Sequence, residues 1–592
     1  MRKINPSPSG FANDSLHCLP IFLIGMASCT GYLNRGASFW AGELGLPAVL
    51  ALTATSCFGL YKRLFLTISG IDRLFLLYLA YLLVNAAAQS YPFPPTDRIL
   101  LPVINLLFYL LIRNISVQGS RKLISGLTNG VIGIALFQSI IGLLQYIGVL
   151  SPFHPDYKSV GLFINPGIYG CFVAIGFCMA AIMLIERWHK NGFLYGSALL
   201  LCGCALVLSR SLTACISAIA GIGCYLAMSR PAIPDLLRQW RRLAVFTVLI
   251  VIASCCVLLS QTDFSSFQGR LLIWKISLNM VLDSPLFGQG YGSFYNSYPD
   301  YQAGYFMAGK GSAEEIQLAS VNYYAFNEPL RILIEGGIVG FLFLGAILTA
   351  ISLVLKKNSS SKTGMLLFCL LLVIFIFGLF SYPLSDISLS LLATFSIAAI
   401  ASMPGLAGGI KLIVIKPLFR FICLGALLVL TGGAMLRIYA VCCWKEAKQH
   451  LAEQEGDSMR TYARIYPLLS NNASFLYNYG SELAELGQIE AGLAVLERSL
   501  RYGNSIEHHL AIGDMEKSLG NLKTAEQAYR YAAYMDPKRF VPFYKLLQFY
   551  RETRQEQKAK KIAAMLCAKP VKVQSPIIDR IKQETCTYEK DN

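Results

Sequence analysis

Three features of the 592-residue sequence point to an all-α protein in two parts, a polytopic membrane domain and a helical-repeat domain outside the membrane. Apolar residues make up 55% of the chain and charged residues only 14%, with mean hydropathy +0.52. A soluble domain carries about 25% charged residues, so an ordinary soluble enzyme is excluded. Disorder is excluded too, because it needs low hydrophobicity and high charge. The apolar residues gather in runs of about 20, the length that crosses a bilayer. After residue 436 those runs stop, and mixed charge with apolar residues at helical spacing takes over.

About thirteen runs are long enough to span, near 17–33, 45–61, 73–88, 97–113, 127–149, 167–186, 192–209, 211–228, 243–260, 333–355, 364–382, 385–403 and 418–436. The first is not read as a cleavable signal peptide, since no small-residue cleavage site stands out and many spans follow. The loops between the runs set the orientation. With the N-terminus in the cytoplasm, inside segments hold 20 Lys/Arg, whereas the short outside loops hold only Arg35, Arg98, Lys158 and Arg210. That asymmetry is the positive-inside signal, and Trp188, Trp240 and Trp444 fall near span ends as interfacial aromatics do. The net charge of +17 is therefore mainly topology and names no nucleic-acid partner.

Two large segments then lie outside the cytoplasm, which divides the chain into residues 1–436, a membrane domain with a large outer loop at 261–329, and residues 437–592. The expected location is a bacterial inner membrane, with the loop and the C-terminal part in the periplasm. In that part Gly480, Leu486 and Gly487 recur as Gly513, Leu519 and Gly520, a repeat near 33 residues. The second copy continues through Ala525, Tyr529, Ala532 and Pro537. This resembles a tetratricopeptide helix pair, in which small residues let two helices approach and the proline ends the second. A third, weaker copy follows, with Ala559 lying 34 residues beyond Ala525. Such a repeat provides a surface for a protein partner or a cap over the membrane domain.

Of 17 cysteines, 13 from Cys18 to Cys423 lie in or beside apolar runs and read as small buried hydrophobes. No CxxC pair occurs, and Cys567 and Cys586 are free to pair in an oxidising compartment.

The outer loop is dense in motif-like text. It holds Gly269-Arg270-Leu-Leu-Ile-Trp274, then Asp283-Ser-Pro285-Leu-Phe-Gly288-Gln-Gly290-Tyr-Gly292. Ala325-Phe326-Asn327-Glu328-Pro329 and Ile334-Glu335-Gly336-Gly337 follow, while Gly161-Leu-Phe-Ile-Asn165-Pro166 and Ser209-Arg210-Ser211 lie upstream. In order and spacing over residues 160–345 this resembles the O-antigen ligase/polymerase superfamily, which includes lipopolysaccharide O-antigen ligases, O-antigen polymerases and protein O-oligosaccharyltransferases. The resemblance implies a membrane glycosyltransferase that moves a glycan from undecaprenyl diphosphate to an acceptor outside the inner membrane. It implies no metal and no other cofactor. The partners it implies are the lipid-linked glycan, a lipid, polysaccharide or protein acceptor, and the bilayer, with no nucleic acid.

Arg210 and Arg270 match arginines of the family's motifs and are the expected ligands of the lipid diphosphate. A guanidinium fork suits a leaving group that gains negative charge. The alternatives are a snorkelling helix end for Arg210 and an ion pair with Asp283 or another loop acid for Arg270. The family's His-Asn pair reads Phe326-Asn327 here, so no histidine takes that role. Glu328 is the expected substitute base, against an ion pair with Arg331 or Arg270; Asn327 is expected at the diphosphate, against a helix cap. Glu335 is a candidate partner for an arginine. Tyr298, Tyr301, Tyr323 and Tyr324 are candidates for stacking on sugar rings, against simple interfacial packing. Gly288, Gly290 and Gly292 read as turn glycines, since neither the strand nor the helix of a phosphate-binding loop flanks them. From other classes, a lipid-linked sugar flippase or a non-catalytic scaffold remains the rival reading.

Overall fold

The computed structural model describes residues 20–29, 65–66, 68–89, 96–152, 157–229, 265–403, 413–414, 417–452, 458–571 and 574–591. The expected runs at 45–61 and 243–260 lie outside these residues, as does most of 17–33. Six described helices are long and apolar enough to cross a membrane, and the shorter apolar helices Leu100–Arg113, Lys362–Gly378 and Ile387–Ala401 also coincide with expected runs.

After a helical stretch at 20–28, the described helices include α1 (Gly70–Gln89), α2 (Thr96–Tyr146), α3 (Pro166–Leu208) and α4 (Leu212–Ser229). Two expected spans fall in α2 and two in α3, with helical residues where a loop was expected between them. Neither helix is a straight rod. Helix α3 has 43 residues, about 65 Å if straight. Yet a Cβ on Gly170 would meet Ser211 at 2.8 Å, and one on Gly176 would lie 3.7 Å from Cys202. The chain therefore doubles back near residue 190, and α3 is two antiparallel spans. Its first half, Pro166–Glu186, forms the centre of the domain, with 94% of its apolar window buried. Glycines there let neighbouring helices approach within backbone distance.

Helix α2 reverses too. Arg113 forms a buried pair with Asp72 of α1 and bonds Ser402 at the C-terminal end of the Ile387–Ala401 helix. Further along α2, Gln138 and Gln145 accept from the N–H groups of Leu162 and Val160, next to Asn165. Asn165 in turn donates to Tyr382, close to the N-terminal end of that same helix. Arg113 and Gln145 thus mark opposite ends of the bundle. A two-residue pairing of β1 (Phe65–Leu66) with β2 (Ile413–Val414) leads into Ser69, which bonds Asp72, at the Arg113 end. The basic side chains of Lys356, Lys357 and Lys362 lie at that end too, at the far end of the span that begins at Glu328.

The described part of the loop expected on the outer side folds into α5 (Ser265–Asp283), α6 (Phe294–Met307) and α7 (Ala313–Leu318). These share a core of Leu272, Ile276, Met280, Phe294, Tyr298 and Phe306. Helix α8 (Glu328–Lys357) then enters the bundle and is broken at Gly337, whose φ of 62° and ψ of −165° belong to a region that only glycine occupies comfortably. The break exposes carbonyls that the loop satisfies: Gln289 N–H donates to Ile334 O at 2.8 Å and Gly290 N–H to Glu335 O at 3.0 Å. In return Ile338 N–H donates to Pro285 O at 2.9 Å. Gly288, Gly290 and Gly292 all have positive φ and serve as turn glycines in this crossing. Helices α9 (Lys362–Gly378) and α10 (Ile387–Ala401) also belong to the bundle.

Helix α11 (Pro417–Ala452) runs unbroken through the expected boundary at 436. Its later turns, from Ala440 to Ala447, share a core with Tyr462 of α12 (Ser458–Leu469) and with Phe475. Three helix pairs follow: α13 (Ala473–Glu485) with α14 (Ile489–Leu500), α15 (Ile506–Ser518) with α16 (Leu522–Met535), and α17 (Val541–Glu552) with α18 (Glu556–Ala568). Gly480 faces the Gly492 carbonyl and Gly513 faces the Tyr529 ring, so small residues do set the close approach. The turn residues Gly487 and Gly520 have φ near 80°, and Arg554 occupies the matching place in the third pair at φ 55°. Helix α19 (Pro576–Asp591) closes the chain, tied to α18 by a Cys567–Cys586 disulfide with a Cα–Cα distance of 5.3 Å.

These pairs dock directly on the outer loop. Ala303 of α6 packs with Ile506, Ala532 and Met535, and Gln302 donates to Met535 O. Asn504 donates to Asn296 O at 3.1 Å and to Asp300 at 2.5 Å, while Asn296 donates to Arg501 O at 2.9 Å.

Candidate functional site

The end of the bundle that carries the outer loop holds an aromatic and cationic cluster. Helix α5 is anchored there by Trp274, whose indole donates to Ala325 O at 3.0 Å and whose ring packs on Phe380 at 6.1 Å. One turn earlier on the same helix, the Arg270 guanidinium lies 5.5 Å over the Phe326 ring. Phe326 meets Tyr382 edge-on, and Tyr382 stacks face to face with Tyr324 at 3.7 Å. The Tyr382 hydroxyl accepts from Asn165, whose own oxygen caps the start of α3 through the Gly167 and Ile168 N–H groups. Phe326 adopts φ 50°, costly for a bulky residue. The strain is concentrated where the loop turns into α8.

Arg270 is half-buried, and no described carboxylate pairs with it. Asp283, the expected alternative partner, instead accepts from Tyr301 at 2.6 Å. Burial pulls the Arg270 guanidinium below its ordinary range, partly offset by Tyr157 and Tyr382. The group stays charged, because arginine starts so high. A partly desolvated cation held by π faces keeps its N–H donors for an anion. Arg210 sits in the short turn after α3 with φ 53°. Its neighbours Ser209 and Ser211 press on Gly170, one turn from the Asn165 cap. Both arginines therefore belong to the same end of the bundle, and Arg210 is exposed there.

Asn327 caps α8: its oxygen accepts from Leu330 N–H at 2.8 Å and its amide donates to Leu379 O at 3.2 Å. Of the two readings of Asn327, the cap is the one drawn in these contacts. Glu328 is 5% exposed. One of its oxygens pairs with Arg331 at 2.6 Å and the other accepts from Leu384 N–H at 2.9 Å. Glu335 takes the remaining arm of Arg331 at 2.9 Å. The expected ion pair of Glu328 with Arg331 is thus present, and Glu335 shares it.

The four tyrosines separate. Tyr324 lies on the arginine cluster through Tyr382. Tyr323 stacks on Tyr295 at 4.3 Å. Tyr301 spends its hydroxyl on Asp283 and Gln289, inside the loop. Tyr298 is fully buried in the loop core against Phe294, so its ring is not offered to a sugar. Its helical spacing from Phe294 turned it inward, and alternation of aromatics along the sequence does not reveal that. Tyr382 belongs to the cluster and was absent from the expected set; its signal is the Tyr-Pro step between two apolar runs. His154 lies outside the described residues, whereas His508 and His509 are held in the repeat helices by Ser499 and Asn504. Among the described residues, no group of three or more His, Cys, Asp or Glu is placed to hold a metal ion.

Fold and site together define a polytopic helical membrane protein with an arginine-bearing aromatic site at one end. Residues 197–345, which include Arg210, Arg270, Asn327 and Glu328, match the O-antigen ligase family. The chain is also 25% identical over 243 residues to the exopolysaccharide production protein ExoQ of Rhizobium meliloti (strain 1021). That alignment covers 38% of this chain and 53% of the relative, so the chain spans about half the length of the curated protein it matches. These similarities support the O-antigen ligase superfamily, a bacterial membrane setting and a polysaccharide-related ligase or polymerase.

Proposed function

We propose that this chain is an O-antigen ligase-like glycosyltransferase that moves a glycan from undecaprenyl diphosphate to an acceptor hydroxyl, such as one on lipid A core. The reaction takes place at the outer face of the inner membrane, and the repeat helices are tetratricopeptide-like and periplasmic. The observation that carries the reading is Arg270, half-buried over Phe326 with no described carboxylate partner. In the transfer the acceptor oxygen bonds to the anomeric carbon as the bond to the diphosphate breaks, inverting that centre. Arg270 and Arg210 stabilise the charge that gathers on the departing diphosphate, and Tyr324 and Tyr323 offer ring faces to the sugars. The orientation is supported by the basic side chains at the Arg113 end and by the disulfide in the part assigned to the periplasm.

Glu328 takes the acceptor proton in this reading, through the oxygen whose contact is the Leu384 N–H. Its pair with Arg331 favours a second role, positioning, in which it ties the start of α8 to the turn at 380–386. Glu328→Gln decides between them: a loss of 100-fold or more in kcat supports the base, and full activity leaves only positioning. The relative's role in exopolysaccharide production favours a second acceptor class, a growing polysaccharide chain, and a protein hydroxyl is the third.

The test is purified protein in vesicles with a lipid-linked glycan and each acceptor class. Covalent transfer that falls at least 100-fold in Arg270→Ala, with partial recovery in Arg270→Lys, supports the enzyme. Movement of the glycan across the bilayer without a new linkage overturns it in favour of a flippase. Neither transfer nor movement leaves a scaffold.

A further inference from the structure

On the face of the outer loop turned toward the last repeat pair lies a cleft of about 730 Å³, within the size range of small-ligand sites. Gln268, Glu314 and Gln317 line it from the loop, and Tyr534, Phe543 and Lys569 line it from the repeats. Gln268 precedes Arg270 by two residues on α5, so the two side chains leave the helix on nearly opposite faces. The cleft and the arginine cluster are back to back across a single helix.

The lining is unusual for a simple domain seam. Lys569 is 7% exposed. Its ammonium lies 4.3 Å from the Phe543 ring centre and 5.1 Å from that of Phe540, and it donates to Arg539 O at 2.8 Å. Among the described residues one acceptor serves a group with three donors. Burial pulls this ammonium down to about 7, with Asp536 opposing. Asp536 is itself shared with Arg539 at 3.3 Å. Beside the apolar side chains of Ile316, Leu318 and Met565, the cleft thus holds a buried lysine short of negative charge, ring faces, two amides and one carboxylate.

We propose that this cleft binds an acidic sugar unit of the glycan acceptor. Ring faces suit the C–H face of a pyranose, the amides and Glu314 suit its hydroxyls, and Lys569 suits its carboxylate. An acyl chain would match Ile316, Leu318 and Met565 but leave the amides, Glu314 and Lys569 uncompensated, which disfavours a lipid tail. The word acceptor rests on the transfer reading above; the binding chemistry does not.

The test uses the full chain in detergent, titrated calorimetrically with trigalacturonate and with neutral maltotriose. The site predicts binding of trigalacturonate, at least tenfold weaker in Lys569→Met, several-fold weaker in Gln317→Ala and unchanged in Arg270→Ala. Gln317 lies on the short helix α7, so its variant covers the case in which Lys569→Met disturbs folding. Equal binding of the neutral sugar, no binding, or loss confined to Arg270→Ala overturns the proposal. So does displacement by an acidic decapeptide, which assigns the cleft to a protein. Wild-type binding without any glycan transfer leaves the cleft standing and removes the transfer reading.

Discussion

Replacing Gly337 by alanine tests how the outer loop is locked to the membrane domain. The backbone there has φ 62° and ψ −165°, a conformation that costs a residue with a side chain about 1–3 kcal/mol. The added Cβ would lie 2.3 Å from the Leu286 carbonyl oxygen and 2.5 Å from Gly288 N, both main-chain atoms without a rotamer to yield. Relief requires the 285–290 crossing to move away. Its four hydrogen bonds with α8, at 2.8 to 3.2 Å, are then lost or lengthened, at about 1 kcal/mol each. The combined cost is about 4–6 kcal/mol, taking the strain and part of the hydrogen bonding together. The thermal midpoint of the full chain in detergent, followed by tryptophan fluorescence, is expected to drop by 10 °C or more. Gly345→Ala, on the same helix with open space around it, serves as the control and leaves the midpoint in place. A Gly337→Ala midpoint within about 1 °C of wild type would refute the crossing and the helix break together.

Three further outcomes follow from the repeat helices. Cys586→Ser opens the loop of 19 residues closed by the disulfide, removing about 3 kcal/mol from the terminal pair; hydrogen exchange of α19 is expected to rise, and unchanged exchange counts against the bond. Arg554→Gly relieves a left-handed residue where the two earlier pairs carry glycine, and gains of about 0.5–1 kcal/mol are expected in chemical denaturation. Burial lowers His508 and His509 from 6.5 to about 4. Because the folded state prefers their neutral forms, their contribution is intact above pH 6.5 and lost as pH falls through 4. Exchange protection of α15 is expected to be flat above that window and to decline within it, and a decline beginning above pH 7 would exclude these histidines as its source.

Much of the architecture was legible in the sequence because membrane helices are specified by composition over a fixed length. The runs near 167–186 and 192–209 are separate in the sequence, with Arg187 and Lys190 between them, and the closeness of Gly170 to Ser211 shows the reversal in space. The glycine repeat likewise announced the turns at Gly487 and Gly520, since only a residue without Cβ takes that conformation cheaply. The site was less legible. Arg270 and Glu328 stand 58 positions apart, and their alternatives differ only in which partner each meets. Arg331 takes Glu328, Tyr301 takes Asp283, and Phe326 takes Arg270.

The sequence by itself therefore determined the all-helical class, the positions of the described apolar helices and the turn glycines of the helix pairs that follow, because hydrophobic length and turn glycines are local properties. Tertiary structure decided what no local pattern encodes. It buried Tyr298 while leaving Tyr324 against Tyr382, and it broke α8 so that Gly288 and Gly337 cross. It also seated the repeat helices on α6, opening a cleft behind Arg270. Partners far apart in the chain become neighbours only when helices pack, and the free energy of a charge or a ring face depends on which neighbour arrives.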